Sequence, residues 1–277
     1  MDNYKTRKLF DDFMRVLVWL ALIVAAIPLF SMLGEIFLKG ASHTNIAVLT
    51  SPMPTVGEAG GGIANAIQGT LITICLASMM GVPIGVLSGI FLSEYGDLKP
   101  SSAIRLFNDV LSGFPSIVIG IFSYNIIVTS IGFSVIAAAF ALAIIMMPII
   151  TRTTEEALKM VPLTIREAAL ALGIPKWKTL IYIVIRGAKR GIVTGILLAI
   201  ARVAGESAPV LITMGYWRWW FSGLNRPVAN LALNIYLFAV SPFDNWRNLA
   251  WASALVLTTI ILLINLGLRI FTKEKYI

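Results

Sequence analysis

Six long apolar stretches divide this chain, at about residues 16–33, 63–92, 106–128, 133–150, 187–214 and 249–271. About 20 consecutive apolar residues cross the hydrocarbon core of a bilayer as a helix. In lipid only a helix or a closed barrel satisfies every backbone polar group, so such runs leave the chain few other folds. Only 13% of the 277 residues are charged, roughly half the share usual in a soluble domain. The expected class is an all-α polytopic membrane protein: one transmembrane domain over residues 1–277, with six spans and no soluble domain.

The net charge of +8 fits this class better than nucleic-acid binding, because the Lys and Arg residues collect in alternate connections. With the N-terminus inside, Lys5, Arg7, Lys8 and Arg15, then Lys99 and Arg105, then most of the basic residues of 151–190, and finally Arg269, Lys273 and Lys275 fall on one side. That places both ends in the cytoplasm. A basic start followed by an apolar run also describes a signal peptide, but the run from Val16 is long and no small-residue cleavage pattern follows it, so it reads as the first span.

Several local features carry expectations of their own. Gly81, Gly85 and Gly89, spaced by four, put small residues on one face of the second span, which lets a neighbouring helix approach closely. Gly113-Phe114-Pro115-Ser116 marks a kink or a broken start in the third. Cys75, the sole cysteine, reads as a small packing residue, and no intrachain disulfide exists. His43 stands in a polar loop with no second His or Cys nearby, so no metal site is expected. Trp217, Trp219 and Trp220 suit an interfacial belt, and 228–240 a helix on or just inside the outer surface.

There is no G-x-x-x-x-G-K-[ST] loop, no zincin pattern and no Gly-x-Ser-x-Gly elbow. We therefore expect no catalytic residue and no cofactor bound by this chain.

The loop between the fourth and fifth spans, 151–186, is the long charged interruption, and within it lies Arg166–Pro175, reading REAALALGIP. Ala and Leu favour helix, and Gly173 with Pro175 two residues on forms a stop. Thr164 followed three residues later by Glu167 matches a capping box. A short helix is predicted here, outside the membrane and displayed to a partner.

In the fifth span, Arg202 and Glu206 lie four apart, on one helical face. Counted from Gly187, Arg202 sits about 22 Å into the span at 1.5 Å per residue, in the outer half of the core. A charge there costs at least ~2.5–3.5 kcal/mol and must face protein or water. Gly205 and Pro209 point to an irregular helix at this level.

Glu167-Ala168-Ala169 followed by Gly173 resembles the EAA loop of ABC importer permeases, with Ile183 at the family's Ile position; Ile185 and Arg186 stand where the family pattern has Leu-Pro. GGGIANAIQGTL (60–71), FLSEYG (91–96), LSGFPSIVIGIF (111–122), PIITRTTEEALKMVP (148–162) and GILLAIARVAGESAPVLIT (195–213) are similar to phosphate importer permeases of the PstA type. The resemblance implies the fold of a type I importer permease in a bacterial or archaeal cell membrane. It also implies a heterodimer with a second related permease, a homodimeric ABC ATPase that binds ATP and Mg, and an extracytoplasmic phosphate-binding protein. On this reading Arg166, Glu167, Ala168, Ala169, Gly173 and Pro175 belong to a helix coupled to the ATPase. Arg202 and Glu206 either line the phosphate path or form a structural pair. Permeases for sulfate or molybdate, and ion-coupled carriers, are the alternatives.

Overall fold

The computed structural model describes residues 2–58 and 60–272; the basic tail expected on the cytoplasmic side lies outside the described residues from 273 on. Among the described residues every regular element is helical. The long α1 (Asp2–His43) is followed by one short turn, α2 (Ile46–Thr50), and by α3 (Ala64–Glu94). Next, α4 (Lys99–Gly113) and α5 (Ser116–Ser123) meet at 106°, and α5 runs through a π-helical turn, Tyr124–Val128, into α6 (Thr129–Ile131). The central helix α7 (Val135–Lys159) leads to the short α8 (Leu163–Ala171). Then α9 (Lys176–Thr179), a second π turn at Leu180–Val184 and α10 (Ile185–Ala204) form one rod that meets α11 (Ala208–Met214) at 66°. The last two helices are α12 (Leu231–Ala239) and α13 (Asp244–Thr272).

Four helices, α1, α3, α7 and α13, are each long and apolar enough to cross a membrane, and the number rises to 6 if each bent pair is one span. The helices overshoot the apolar runs that announced them. The fourth run, expected over 133–150, sits in a helix that continues to Lys159, and the fifth begins at Lys176 rather than near Gly187. The break in the third falls at Phe114-Pro115. Proline forces the residue before it out of the helical region, and Phe114 is extended with ψ 134.

The core forms around α7, whose Ala138, Ala139, Leu142, Met146 and Ile150 are buried. The glycines of α3 are what bring it onto α7. A Cβ added at Gly81 would lie 3.0 Å from the Ala143 carbonyl oxygen, one at Gly85 would lie 2.8 Å from Ile150 Cβ, and one at Gly89 would lie 2.6 Å from both the Thr151 oxygen and Thr154 Cβ. Packing between helices in lipid rests on such close contact, since apolar surface gains little by leaving one oily medium for another. The same device recurs where Gly191 meets Ala157 and Gly195 meets Thr153 across α10 and α7, and where Gly120 meets Pro209.

At its N-terminal end α3 is tied to the aromatic segment and to α12. The Met53 N–H donates to Asn65 Oδ1 at 3.2 Å, the Phe221 N–H to Gln68 Oε1 at 3.2 Å, and the Leu231 N–H to Thr70 Oγ1 at 2.8 Å. Asn230 caps α12 through the Ala232 N–H at 2.9 Å. The helix expected within 228–240 forms as α12, and its Leu231, Leu233 and Phe238 are buried against α3 and α13.

Two further points differ from expectation or extend it. Cys75 is exposed, on the outside of the bundle, and does not pack in its core. No residue in the apolar stretch of α1 is buried; this helix meets α13 near its own end, where a Cβ on Gly40 would touch Leu255 and Lys39 lies over the Trp251 ring at 4.7 Å.

Candidate functional site

The REAALALGIP stretch folds as α8 and its stop. The helix begins at Leu163 with Pro162 at the cap position, and no side chain caps it. Thr164 thus lies inside the first turn, and the expected Thr164–Glu167 capping box does not form. The end is as local chemistry dictates. The Ile174 N–H reaches the Ala169 carbonyl at 3.1 Å and the Gly173 N–H reaches that of Leu170 at 2.9 Å, the paired bonds of a Schellman motif. Gly173 takes φ +76, and a Cβ there would meet nothing within 4 Å. Backbone conformation, then, is why glycine stands at 173. Pro175 then starts α9.

α8 has two unlike faces. Leu163, Glu167, Ala168, Leu170 and Leu172 are exposed, as is Met160 just before the helix. An exposed apolar surface with a carboxylate in its midst, outside the spans, is the kind of patch that marks a protein contact. Ala169 faces inward and is buried. So does Arg166, on the same side three residues earlier: only 18% of its side chain is exposed.

Arg166 was expected on the displayed surface, and the structure instead turns it toward the bundle. Its Nη1 donates to Glu94 Oε1, at the last residue of α3, and its Nη2 donates to the Leu158 carbonyl at 2.9 Å, near the end of α7. That carbonyl, among the last four of α7, also accepts from the Val161 N–H at 3.3 Å. Beside this contact Lys176 places its ammonium over the Tyr95 ring at 5.0 Å.

Near the middle of α7, Arg202 borders a small cleft with Ser112, Ser116 and Pro148. Arg202 stands level with Pro148, half-way along α7, and the helix it belongs to begins before the Gly187 from which its depth was counted. Arg202 Nε stands 4.0 Å from Glu206 Oε1, and 58% of the Arg202 side chain is exposed against 20% of Glu206. Among the described residues no hydrogen bond reaches the Arg202 guanidinium. Glu206 lies past the end of α10, in the break before α11, so the two do not share the expected helical face; they are loosely paired, with the guanidinium's donors open. The α10 rod ends at Ala204, right at this level.

A second charged cluster has no counterpart in the motif reading. Arg105 near the middle of α4 pairs with Glu155 of α7 at 2.9 Å, and Lys159 pairs with the same Oε1 at 2.6 Å. Together with Asn108, Ser112 and Arg152 they line a cleft of about 270 Å³ at the α7 end of the bundle that carries α8. The Glu155–Lys159 spacing of four was visible in the sequence, but nothing local pointed to Arg105 as its partner.

Residues 81–274 match the family described as Binding-protein-dependent transport system inner membrane component. The chain belongs to that family. This inner-membrane component is similar to the phosphate transport system permease protein PstA of Yersinia pestis, 46% identical over 241 residues that cover 86% of this chain and 82% of the relative. With the protein of the same name from Pasteurella multocida it shares 41% over 275 residues, 99% of this chain and 98% of that one. PstA 1 of Mycobacterium tuberculosis is 38% identical over 88% of this chain and 83% of its own length. Among solved structures, an inward-facing MetNI methionine ABC transporter superposes with a TM-score of 0.60, 17% identity, and coverage of 76% of this chain and 93% of that one. An amino acid ABC transporter gives 0.54 at 22% identity, with coverage of 76% and 93%. At these identities the likeness is one of fold alone.

Proposed function

We propose that this chain is one of two related permease subunits of an ATP-driven phosphate importer. Its partners would be a second, non-identical permease, a pair of separate ATPase subunits on the cytoplasmic side, and an extracytoplasmic phosphate-binding protein. The observation that carries the reading is the likeness, over 99% of the chain, to a phosphate transport system permease. ATP and its Mg ion bind in the ATPase, where hydrolysis occurs; this chain contributes half of a path and the means of moving it. Both termini lie in the cytoplasm, in keeping with the placement of basic residues.

The geometry supports a division of labour between the two sites. The exposed face of α8 offers Leu163, Glu167 and Leu170 to the ATPase. Arg202 lines the path: a guanidinium presents planar donors that match two phosphate oxygens, and here those donors are open. Glu206, loosely paired at 4.0 Å, lowers the net positive charge without occupying those donors, so an anion is attracted but released. Transport follows alternating access, with ATP-driven closure of the ATPase pair pushing on α8.

The test is uptake of radiolabelled phosphate by proteoliposomes holding the complete complex. Loaded binding protein is added outside, internal ATP is present or absent, and excess sulfate or molybdate competes. Uptake that requires ATP and resists both competitors is the expected result. Uptake without ATP, or strong competition by either anion, overturns the reading.

A further inference from the structure

The face of α8 that meets the ATPase does not by itself explain how a push reaches the spans. α8 is covalently joined to α7 by a short turn at 160–162 and to the α9–α10 rod by 172–175. It has no chain connection to α3. Yet α3 is the helix most closely fitted to α7, through Gly81, Gly85 and Gly89.

We propose that the Glu94–Arg166 ion pair is the strut that makes α3 move with the coupling helix. The proposal rests on the reading of α8 as that coupling element. Three observations carry it. The first is that Arg166 bridges two helix ends at once, Glu94 of α3 and the Leu158 carbonyl of α7, so a single side chain locks α8 to both. The second is burial: 18% of Arg166 and 6% of Glu94 is exposed, so the pair is shielded from water and salt and behaves as a fixed link more than as a mobile surface contact. The third is its position: Arg166 and Glu94 line one cleft with Leu163, Glu167 and Leu170 of the displayed surface, so a force received on α8 there meets the pair directly.

Helix ends are suitable points of attachment. The Leu158 carbonyl lies at the negative end of the α7 dipole, which favours a cation. A guanidinium, with several donors in a rigid plane, bridges two acceptors where an ammonium holds one direction at a time. The Lys176–Tyr95 contact at 5.0 Å adds a weaker tie between the start of α9 and the residue after α3. With Arg166 in place, α3, α7 and α8 move as one body. Without it, α8 tilts on its two short turns and α3 stays behind.

Arg166 and Glu94 are thus positioning residues, and their signature is uncoupling. The experiment compares wild type with Arg166→Gln, Glu94→Gln, Arg166→Lys and the charge-swapped Glu94→Arg/Arg166→Glu in the whole complex. It measures both phosphate uptake and ATP hydrolysis stimulated by loaded binding protein. We expect the two Gln variants to retain the ATPase subunits and at least half of the stimulated hydrolysis while phosphate moved per ATP falls at least fivefold. Arg166→Lys should give an intermediate ratio. The swapped pair, which restores the tie to α3, should recover at least half of the wild-type ratio even though it gives up the bond to Leu158. If the Gln variants fail to assemble, the ratios of Arg166→Lys and of the swap decide. A ratio unchanged in every variant, or a swap that neither assembles nor recovers, overturns the strut. Failure of the wild-type complex to move phosphate with ATP would instead refute the functional reading beneath it.

Discussion

Gly85 on α3 lies against Ile150 on α7 so closely that a Cβ added to it would stand 2.8 Å from Ile150 Cβ and 2.9 Å from its Cγ2. Because this seam holds the two helices that frame the core, it should tolerate no added bulk. Gly85→Val is expected to destabilise the chain by about 1–3 kcal/mol, the usual cost of overpacking. Gly85→Ala should cost less, and Ile150→Ala should relieve it only in part, since it removes Cγ2 but leaves Cβ. Thermal unfolding of the detergent-solubilised complex measures the series; a Gly85→Val variant as stable as wild type would show that the seam is not tight.

Arg202 tests the path. Removing a guanidinium that holds an oxyanion forfeits charge-assisted hydrogen bonds of about 1.5–3 kcal/mol. Arg202→Ala should therefore lower uptake about ten- to hundredfold, with assembly intact because the residue makes no hydrogen bond within the described chain and its tie to Glu206 is 4.0 Å long. Arg202→Lys should retain part of the uptake. Uptake equal to wild type in the Ala variant would leave Arg202 as a structural partner of Glu206.

The outer face of α8 can be separated from its interior by substitution. Leu163→Asp and Glu167→Arg should abolish copurification of the ATPase while leaving the chain folded, since both side chains are exposed. Thr164→Ala should be within about 0.5 kcal/mol of wild type, as for a surface position without a cap role. A large loss of stability in Thr164→Ala would mean that the capping box forms after all.

Gly173 is predicted to matter through its backbone. At φ +76 an L residue is strained by roughly 1–2 kcal/mol, so Gly173→Ala should fray the Schellman end of α8 and raise protease cleavage between 160 and 176. Gly173→Asn, which enters this region more readily, should be the milder change. Equal protection of the Ala and Gly forms would argue that this stop is not needed to keep α8 rigid.

The apolar runs, the glycine stripe, the break at Phe114-Pro115 and the Gly173–Pro175 stop all lie in chemistry spanning a few residues. Run length and composition decide them before any tertiary contact forms, which is why each could be read from the chain alone. The short helix α8 and the charge of Arg202 were equally conspicuous, as helix-forming sequence or charge in an otherwise apolar context. The residues around Arg166 are different. Arg166 and Glu167 are adjacent and both charged, and nothing local says that one turns in and the other out. That outcome depends on Glu94, 72 residues away, arriving at the end of α3 beside the end of α7. The start of α8 at Leu163, which left Thr164 without its cap role, also belongs with Pro162 and with this attachment. The pairing of Arg105 with Glu155, 50 residues apart, is of the same kind. The sequence by itself determined where the apolar helices lie and, at Phe114-Pro115 and at Gly173–Pro175, where the chain breaks or stops, because those depend on neighbours along the chain. Only the tertiary structure decided which face of each helix is buried and which charges meet, because only close packing of α3 on α7 brings those distant groups out of water and within reach of one another.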